Sequence, residues 1–299
     1  MSTDVSQPRP TAAQWLAGAR PRTLPAAVSP VLAGTGVAVW AGGSAPVQAA
    51  LALVVSLALQ VGVNYANDYS DGVRGTDANR VGPLRLVGSG LAAPATVKAA
   101  AFGSFALAAL AGLALVVLCQ LWWLLAVGLA CILAAWYYTG GKHPYGYLGL
   151  GEVFVFVFFG LVAVSGTVLV QVGGVPWQTW PVAVGIGALA CSILVANNLR
   201  DLRSDLAAGK RTLATRLGET GTRWFYTALV AAAAVALMVV AATTTWWALL
   251  GLAGIAMLVP AVRTILGGAR GPALIAVLKA TGSAELVYAL GLAIGLTLN

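Results

Sequence analysis

Charge is scarce in this chain of 299 residues: Asp, Glu, Lys and Arg make up 9% of it, against 60% hydrophobic residues. With a mean hydropathy of +0.88, it is too apolar for a water-soluble protein of this length. Apolar runs of about 20 residues recur along it, the length that crosses a bilayer as a helix. The roughly 10-residue alternation of a membrane barrel strand is missing. A single histidine, His143, excludes a multi-histidine metal centre. The three cysteines, Cys119, Cys131 and Cys191, lie inside apolar runs without metal-ligand spacing and read as small core residues. No linker or low-complexity stretch divides the chain. The first apolar run has neither the short core nor the cleavage site of a removable signal peptide. The net charge of +8 is shared among loops, which argues against a nucleic-acid partner.

The pattern predicts an all-α integral membrane protein, a bundle of nine transmembrane helices around a central cavity. The expected spans are 23–41, 47–67, 95–118, 121–138, 150–171, 178–198, 224–242, 246–264 and 274–297. Residues 1–22 form an N-terminal segment and 23–299 one membrane domain. All 17 Lys and Arg fall in alternate connections, and the turns near 42–46, 119–120, 172–177 and 243–245 hold none. Because basic residues are retained on the cytoplasmic side, the N-terminus is expected in the cytoplasm of a multi-pass cell-membrane protein.

Acid is scarcer still, and it is not scattered. Of nine acidic residues, five sit in two clusters, NDYSDGVRGTD from Asn67 and NNLRDLRSDLAAGKRTL from Asn197. Carboxylates beside lipid-embedded helices are costly and point to a cationic ligand. Asn64, Asn67, Asp68 and Asp71 fall at i, i+3, i+4 and i+7, and Asn198, Asp201 and Asp205 at i, i+3 and i+7, so each set lines one helix face. Solvated helix ends paired with nearby arginines are the plainer explanation, but two such clusters at the same side of one acid-poor chain weigh against it. Both expected inner loops mix these acids with bases, among them Arg74, Arg80, Arg85, Lys210 and Arg211. That mixture suits a polyanion bridged by Mg²⁺, a hard cation that takes oxygen ligands. Tyr138 and Lys142 are a weaker signal, since a lone snorkelling lysine would look the same. Arg22 either orients the first span or touches substrate. The aromatic stretches Trp136 to Tyr138 and Phe154 to Phe159 fit a cavity wall or ordinary packing. Glu152 and Glu285 fit either a functional or a hydrogen-bonded structural role.

With these residues in view, the chain resembles the UbiA superfamily of membrane aromatic prenyltransferases. The carrying motifs are Asn-Asp-x-x-Asp at Asn67–Asp71, Asp-x-x-x-Asp at Asp201–Asp205 and Tyr-x-x-x-Lys at Tyr138–Lys142. The phrases ARPRTLPAAVSPVLAGTG, RVGPLRLVGSG and PYGYLGLGEVFVFVFFG look like its 1,4-dihydroxy-2-naphthoate polyprenyltransferase branch in menaquinone biosynthesis. The resemblance implies Mg²⁺-dependent transfer from a polyprenyl diphosphate to 1,4-dihydroxy-2-naphthoate, with loss of CO₂, at a site facing the cytoplasm. It implies metal binding by Asn67, Asp68, Asp71, Asp201 and Asp205, with Lys142 assisting the leaving diphosphate. Arg22, Asn64, Arg74, Asp77, Arg80, Tyr138, Asn198 and Lys210 would hold the substrates. A different acceptor, such as 4-hydroxybenzoate, homogentisate, haem or a phosphosugar, stays open, as does an ion-coupled transporter using the same acids.

Overall fold

The computed structural model describes residues 10–75 and 84–298, and every regular element among them is helical. In chain order these are α1 (Ala12–Gly18), α2 (Pro25–Trp40), α3 (Pro46–Arg74), α4 (Pro94–Cys119), α5 (Leu124–Tyr137), α6 (Gly151–Val172), α7 (Thr179–Ala207), α8 (Leu213–Thr243), α9 (Trp246–Leu266) and α10 (Gly271–Thr297). Prolines open α2, α3 and α4, where the missing N–H costs nothing. Gly75, at φ 71°, closes α3 directly after its acidic motif.

Each of the nine expected segments is occupied by an apolar helix, but their lengths differ. Seven are long and apolar enough to cross a membrane individually, and α2 qualifies together with residues 12–23, from which it is bent by 50°. The shorter α5 has 14 residues, about 21 Å of helix against a hydrocarbon layer of about 30 Å. By contrast α3 and α7 have 29 residues each, about 43 Å. Their surplus turns carry the polar motifs, so both acidic clusters stand on helix rather than in the loops beyond. Six of the seven exposed tryptophans mark the opposite end: Trp122, Trp123, Trp177, Trp180, Trp246 and Trp247 sit on or beside turns without Lys or Arg, while Trp224 follows Arg223 on α8.

The buried apolar residues form two separate cores. One joins α2, α6, α7, α8, α9 and α10 around Ile186, Leu189, Leu237 and Tyr288. The other joins α1, α3, α4 and α5 with the segment around Leu86. Between them lies a cavity of about 920 Å³, lined by α3, α4 and α5 on one side and α2, α6 and α7 on the other. The larger core depends on glycines at crossing points. A Cβ on Gly254 of α9 would lie 2.5 Å from the Ala284 carbonyl oxygen of α10, and one on Gly291 would lie 2.5 Å from the Leu250 oxygen. Gly254→Val is therefore expected to destabilise the fold by about 1–3 kcal/mol through overpacking. Gly103→Ala on α4, where a Cβ meets nothing within 4 Å, is expected to be neutral or stabilising by up to about 1 kcal/mol. Thermal unfolding in detergent checks both; equal midpoints would refute the close seam.

Candidate active site

The first polar wall of the cavity is a face of α3. Gln60, Asn64, Asn67 and Asp71 line the cavity and are all buried. The Asn64 amide nitrogen donates to the Ala19 carbonyl and the Thr23 hydroxyl, both at 2.9 Å, which fastens the α1–α2 bend to this wall. Asn67 Oδ1 accepts the Thr139 hydroxyl at 2.7 Å. Asp71 accepts the Tyr147 hydroxyl on Oδ1 and faces the Arg85 guanidinium, 3.4 Å from Oδ2.

Asp68 departs from the expected ligand set. Its Oδ2 accepts the Leu86 N–H at 2.7 Å and its Oδ1 the Val87 N–H at 3.1 Å, and it does not line the cavity. Helical geometry gives the reason. Asp68 is roughly 100° around the helix from Asn67, at the far edge of the polar arc, and it turns to the segment packed beside α3. There it holds the backbone around fully buried Leu86.

The second wall is a face of α7 carrying buried Asn198, Asp201 and Asp205, all lining the cavity. Asn198 donates its amide to Glu152 Oε1 at 2.9 Å. The Arg200 side chain, 4% exposed, forks onto Asp201, with Nε 2.7 Å from Oδ1 and Nη2 2.6 Å from Oδ2, and also reaches Asn197 Oδ1 at 2.8 Å. Sequence reasoning missed Arg200, although its adjacency to Asp201 was a usable signal. It also missed Tyr147, for which no spacing rule exists.

The connection between α5 and α6 ties the walls together. The Arg74 guanidinium donates to the carbonyls of Thr139 and Gly141 and lies over the Tyr147 ring at 5.5 Å, so it staples this connection rather than lining the cavity. From the other wall, the Arg211 N–H donates to the Tyr147 carbonyl at 3.1 Å, and Arg216 donates to the Leu148 carbonyl at 2.8 Å. Lys142 is exposed and outside the cavity lining, because Gly141, at φ 76°, turns the chain just before it. Lys210 and Arg22 do line the cavity, as does Tyr138. Asp77 and Arg80 lie outside the described residues.

Away from the acids the cavity becomes aromatic. Tyr138, Tyr145, Phe154 and Phe158 form a ladder with ring centroids 5.5, 3.9 and 5.9 Å apart, and all four line the cavity. Burial pushes the Tyr145 phenol upward, with Tyr138 adding to the shift, so it stays protonated and donates to the Ala134 carbonyl. A π-helical stretch, Phe156–Val162, lets adjacent Phe158 and Phe159 both face the cavity. Trp136 does not: it packs against Tyr69 and Phe102 in the smaller core. Glu285 is fully buried away from the cavity, and neither of its oxygens has a hydrogen-bond partner among the described residues.

Chemically, the two walls offer carboxylate and amide oxygens with guanidinium and ammonium groups between them. Among the described residues no three of His, Cys, Asp and Glu converge on one point. That donor set fits Mg²⁺, which is usually held by one or two carboxylates and completes its shell with phosphate oxygens and water.

The chain matches the UbiA prenyltransferase family over residues 27–276. It is 54% identical over 281 residues to the 1,4-dihydroxy-2-naphthoate octaprenyltransferase of Mycobacterium tuberculosis, covering 94% of this chain and 96% of that one. With the enzyme of the same description from Escherichia coli it shares 41% identity over 223 residues, 72% of each chain. Among solved structures, a UbiA homologue from Aeropyrum pernix superposes with a TM-score of 0.69 at 14% identity, over 90% of this chain and 97% of that one. A UbiA homologue from Archaeoglobus fulgidus bound to GPP and Mg²⁺ gives 0.64 at 14% identity, over 96% and 100% of the chains. At such identity the structures share the fold.

The geometry gives Asp68 and Asp71 opposite signatures. Asp68→Ala leaves the buried Leu86 N–H and the part-buried Val87 N–H without acceptors, at about 1–3 kcal/mol for the buried one, and should speed amide hydrogen exchange at both residues. Asp71→Ala should leave those amides protected. Unchanged exchange in Asp68→Ala would return Asp68 to the ligand set.

Proposed function

Because the chain belongs to the UbiA prenyltransferase family, we propose that it transfers a polyprenyl group from its diphosphate to 1,4-dihydroxy-2-naphthoate, in menaquinone biosynthesis. Diphosphate and CO₂ leave, and the hydroquinone form of demethylmenaquinone results, since the step itself oxidises nothing. The acceptor follows from the 54% identity, over nearly the whole of both chains, to an enzyme named for it. The observation that carries the mechanism is the juxtaposition of two acid-and-amide walls with an aromatic, apolar interior in one cavity. A transporter site would more usually sit at the bilayer midplane, whereas these acids stand on the terminal turns of α3 and α7.

In this reading Asn67 and Asp71 on α3 and Asp201 and Asp205 on α7 hold Mg²⁺, which when bound neutralises the departing diphosphate. Arg85, Arg200 and Lys210, all lining the cavity, take the remaining phosphate charge. The ladder from Tyr138 to Phe158 keeps water from the allylic carbon and offers ring faces to the positive charge developing there. The naphthoate ring attacks that carbon through its carboxylate-bearing position and regains aromaticity by losing CO₂. The short α5 packs on α3 and α4 but scarcely touches α6, and this seam gives the long prenyl tail a way into lipid.

Purified protein given 1,4-dihydroxy-2-naphthoate, an allylic diphosphate and Mg²⁺ should yield a hydroquinone whose mass equals the acid acceptor plus the prenyl group, less CO₂ and one hydrogen. A product retaining the carboxylate, or turnover only with another acceptor, would overturn the assignment. Asp71→Ala and Asp201→Ala should each lower turnover by about 10²–10³ or more while leaving the fold intact, since each removes charge stabilisation of the leaving group. Near-normal rates at saturating Mg²⁺ would remove that residue from the site.

The same reading places the acidic ends of α3 and α7 in the cytoplasm, in keeping with the distribution of Lys and Arg. In a variant lacking the three native cysteines, a cysteine at Ala207 should react with an impermeant reagent only from the cytoplasmic side, and one at Gly174 only from outside. The reverse pattern would invert the topology.

A further inference from the structure

Tyr147 reaches the α3 wall and the turn after α7 through different parts of itself. Its hydroxyl donates to Asp71 on α3. Its ring lies under the Lys210 ammonium, with Nζ 4.5 Å from the centroid. Its carbonyl accepts the Arg211 N–H from the turn after α7. That turn is itself fixed, because the Lys210 N–H donates to the Asp205 carbonyl at 2.9 Å. Tyr147 and Lys210 both line the cavity beside Asp71, Asp201 and Asp205.

The nature of these contacts matters more than their number. A lysine is a point charge on a flexible four-carbon stem, without the geometric fork of arginine, so something else must aim it. A carboxylate partner would aim it but cancel its charge. An aromatic face within about 6 Å attracts the ammonium through the ring quadrupole, for about 0.5–2 kcal/mol, and leaves the charge whole. The contact also leaves the three N–H donors available to oxygen acceptors. Meanwhile the phenol fixes the rotamer of Asp71, the acid nearest it on the opposite wall. One rigid ring with two side-chain torsions thereby sets the spacing between an oxygen donor for the cation and a cation for the phosphate.

We propose that Tyr147 is a positioning residue for the diphosphate of the prenyl donor: its ring presents the Lys210 ammonium, undiminished in charge, to the phosphate oxygens, while its hydroxyl holds Asp71 in register with it. Tyr147 itself need not touch the substrate. The inference rests on the prenyl-diphosphate reading given above.

The test is a set of coupled substitutions in the full-length protein, read by equilibrium binding of an unreactive allylic diphosphate that carries sulfur at the bridging position, at fixed Mg²⁺. Tyr147→Phe keeps the ring and loses the hydroxyl. Pentafluorophenylalanine at position 147 keeps the shape of that ring and removes its negative face. Lys210→Ala is made in each background. In the wild type and in Tyr147→Phe, losing Lys210 should weaken binding about 10-fold or more, the scale of a charged hydrogen bond to phosphate. In the pentafluoro background its loss should cost less than about 3-fold, because the ammonium is no longer aimed. Tyr147→Phe should in addition raise the Mg²⁺ concentration needed for half-maximal binding, and Lys210→Ala should not.

An equal Lys210→Ala penalty in all three backgrounds would reduce Tyr147 to a structural residue and overturn the proposal. An unchanged Mg²⁺ requirement in Tyr147→Phe would overturn the Asp71 half of it. If the wild-type protein fails to bind the analogue at all, the prenyl-diphosphate reading itself falls. Binding by the wild type with additive substitutions rejects only the role of Tyr147.

Discussion

A carboxylate at the edge of a hydrocarbon layer has to be met by a cation or by hydrogen-bond donors, and much of the polar architecture follows from meeting that demand. Asp71 is met by Tyr147 and Arg85, Asp201 by the fork of Arg200, and Asp68 by two backbone N–H groups. Glu219, at the start of α8, gathers Arg203, Arg223 and Arg270. Each solution draws in a different piece of chain. The segment around Leu86 and the connection between α5 and α6 are placed by the acids they serve. The same few charges organise the polar end of the protein and endow it with chemistry.

These neutralising partners differ in what they permit. Asp68 is held by two backbone N–H donors and lies outside the cavity lining. Arg200 and Arg85 are guanidinium groups with their own affinity for phosphate, so the bonds that stabilise the walls are ones a polyanion can exchange. Glu152 serves Asn198 in a third way. By accepting its amide nitrogen at 2.9 Å, it turns the amide oxygen the other way.

How much of this was legible in the sequence depends on the range of the interaction. The helices were, because a run of about 20 apolar residues has one economical conformation in lipid. So were the faces of α3 and α7, because spacings of three, four and seven residues project one way on any helix. The same arithmetic could not separate Asp68 from Asp71, since its partners Leu86 and Val87 lie 18 and 19 residues further on. Lys142 matched a family spacing, but the turn at Gly141 aims it outward, and Lys210, from a distant loop, occupies the cavity instead. Tyr147 carried no local signal at all. Its importance arises from tertiary contacts to residues 76 positions before it in one direction and to the turn following α7 in the other. The shortness of α5 was masked by the apolar residues that flank it.

The division of the apolar interior into two cores has a mechanical consequence. Each core is a closed, densely packed unit and resists deformation as such interiors do, but the cavity runs between them and belongs to neither. Swelling it to pass a bulky isoprenoid strains only the joints that bridge the halves, chiefly the contacts of α3 with α2 and α6 and the polar strap beneath Tyr147. The molecule is thus stiff in its parts and compliant along a single seam, a clasp rather than a box.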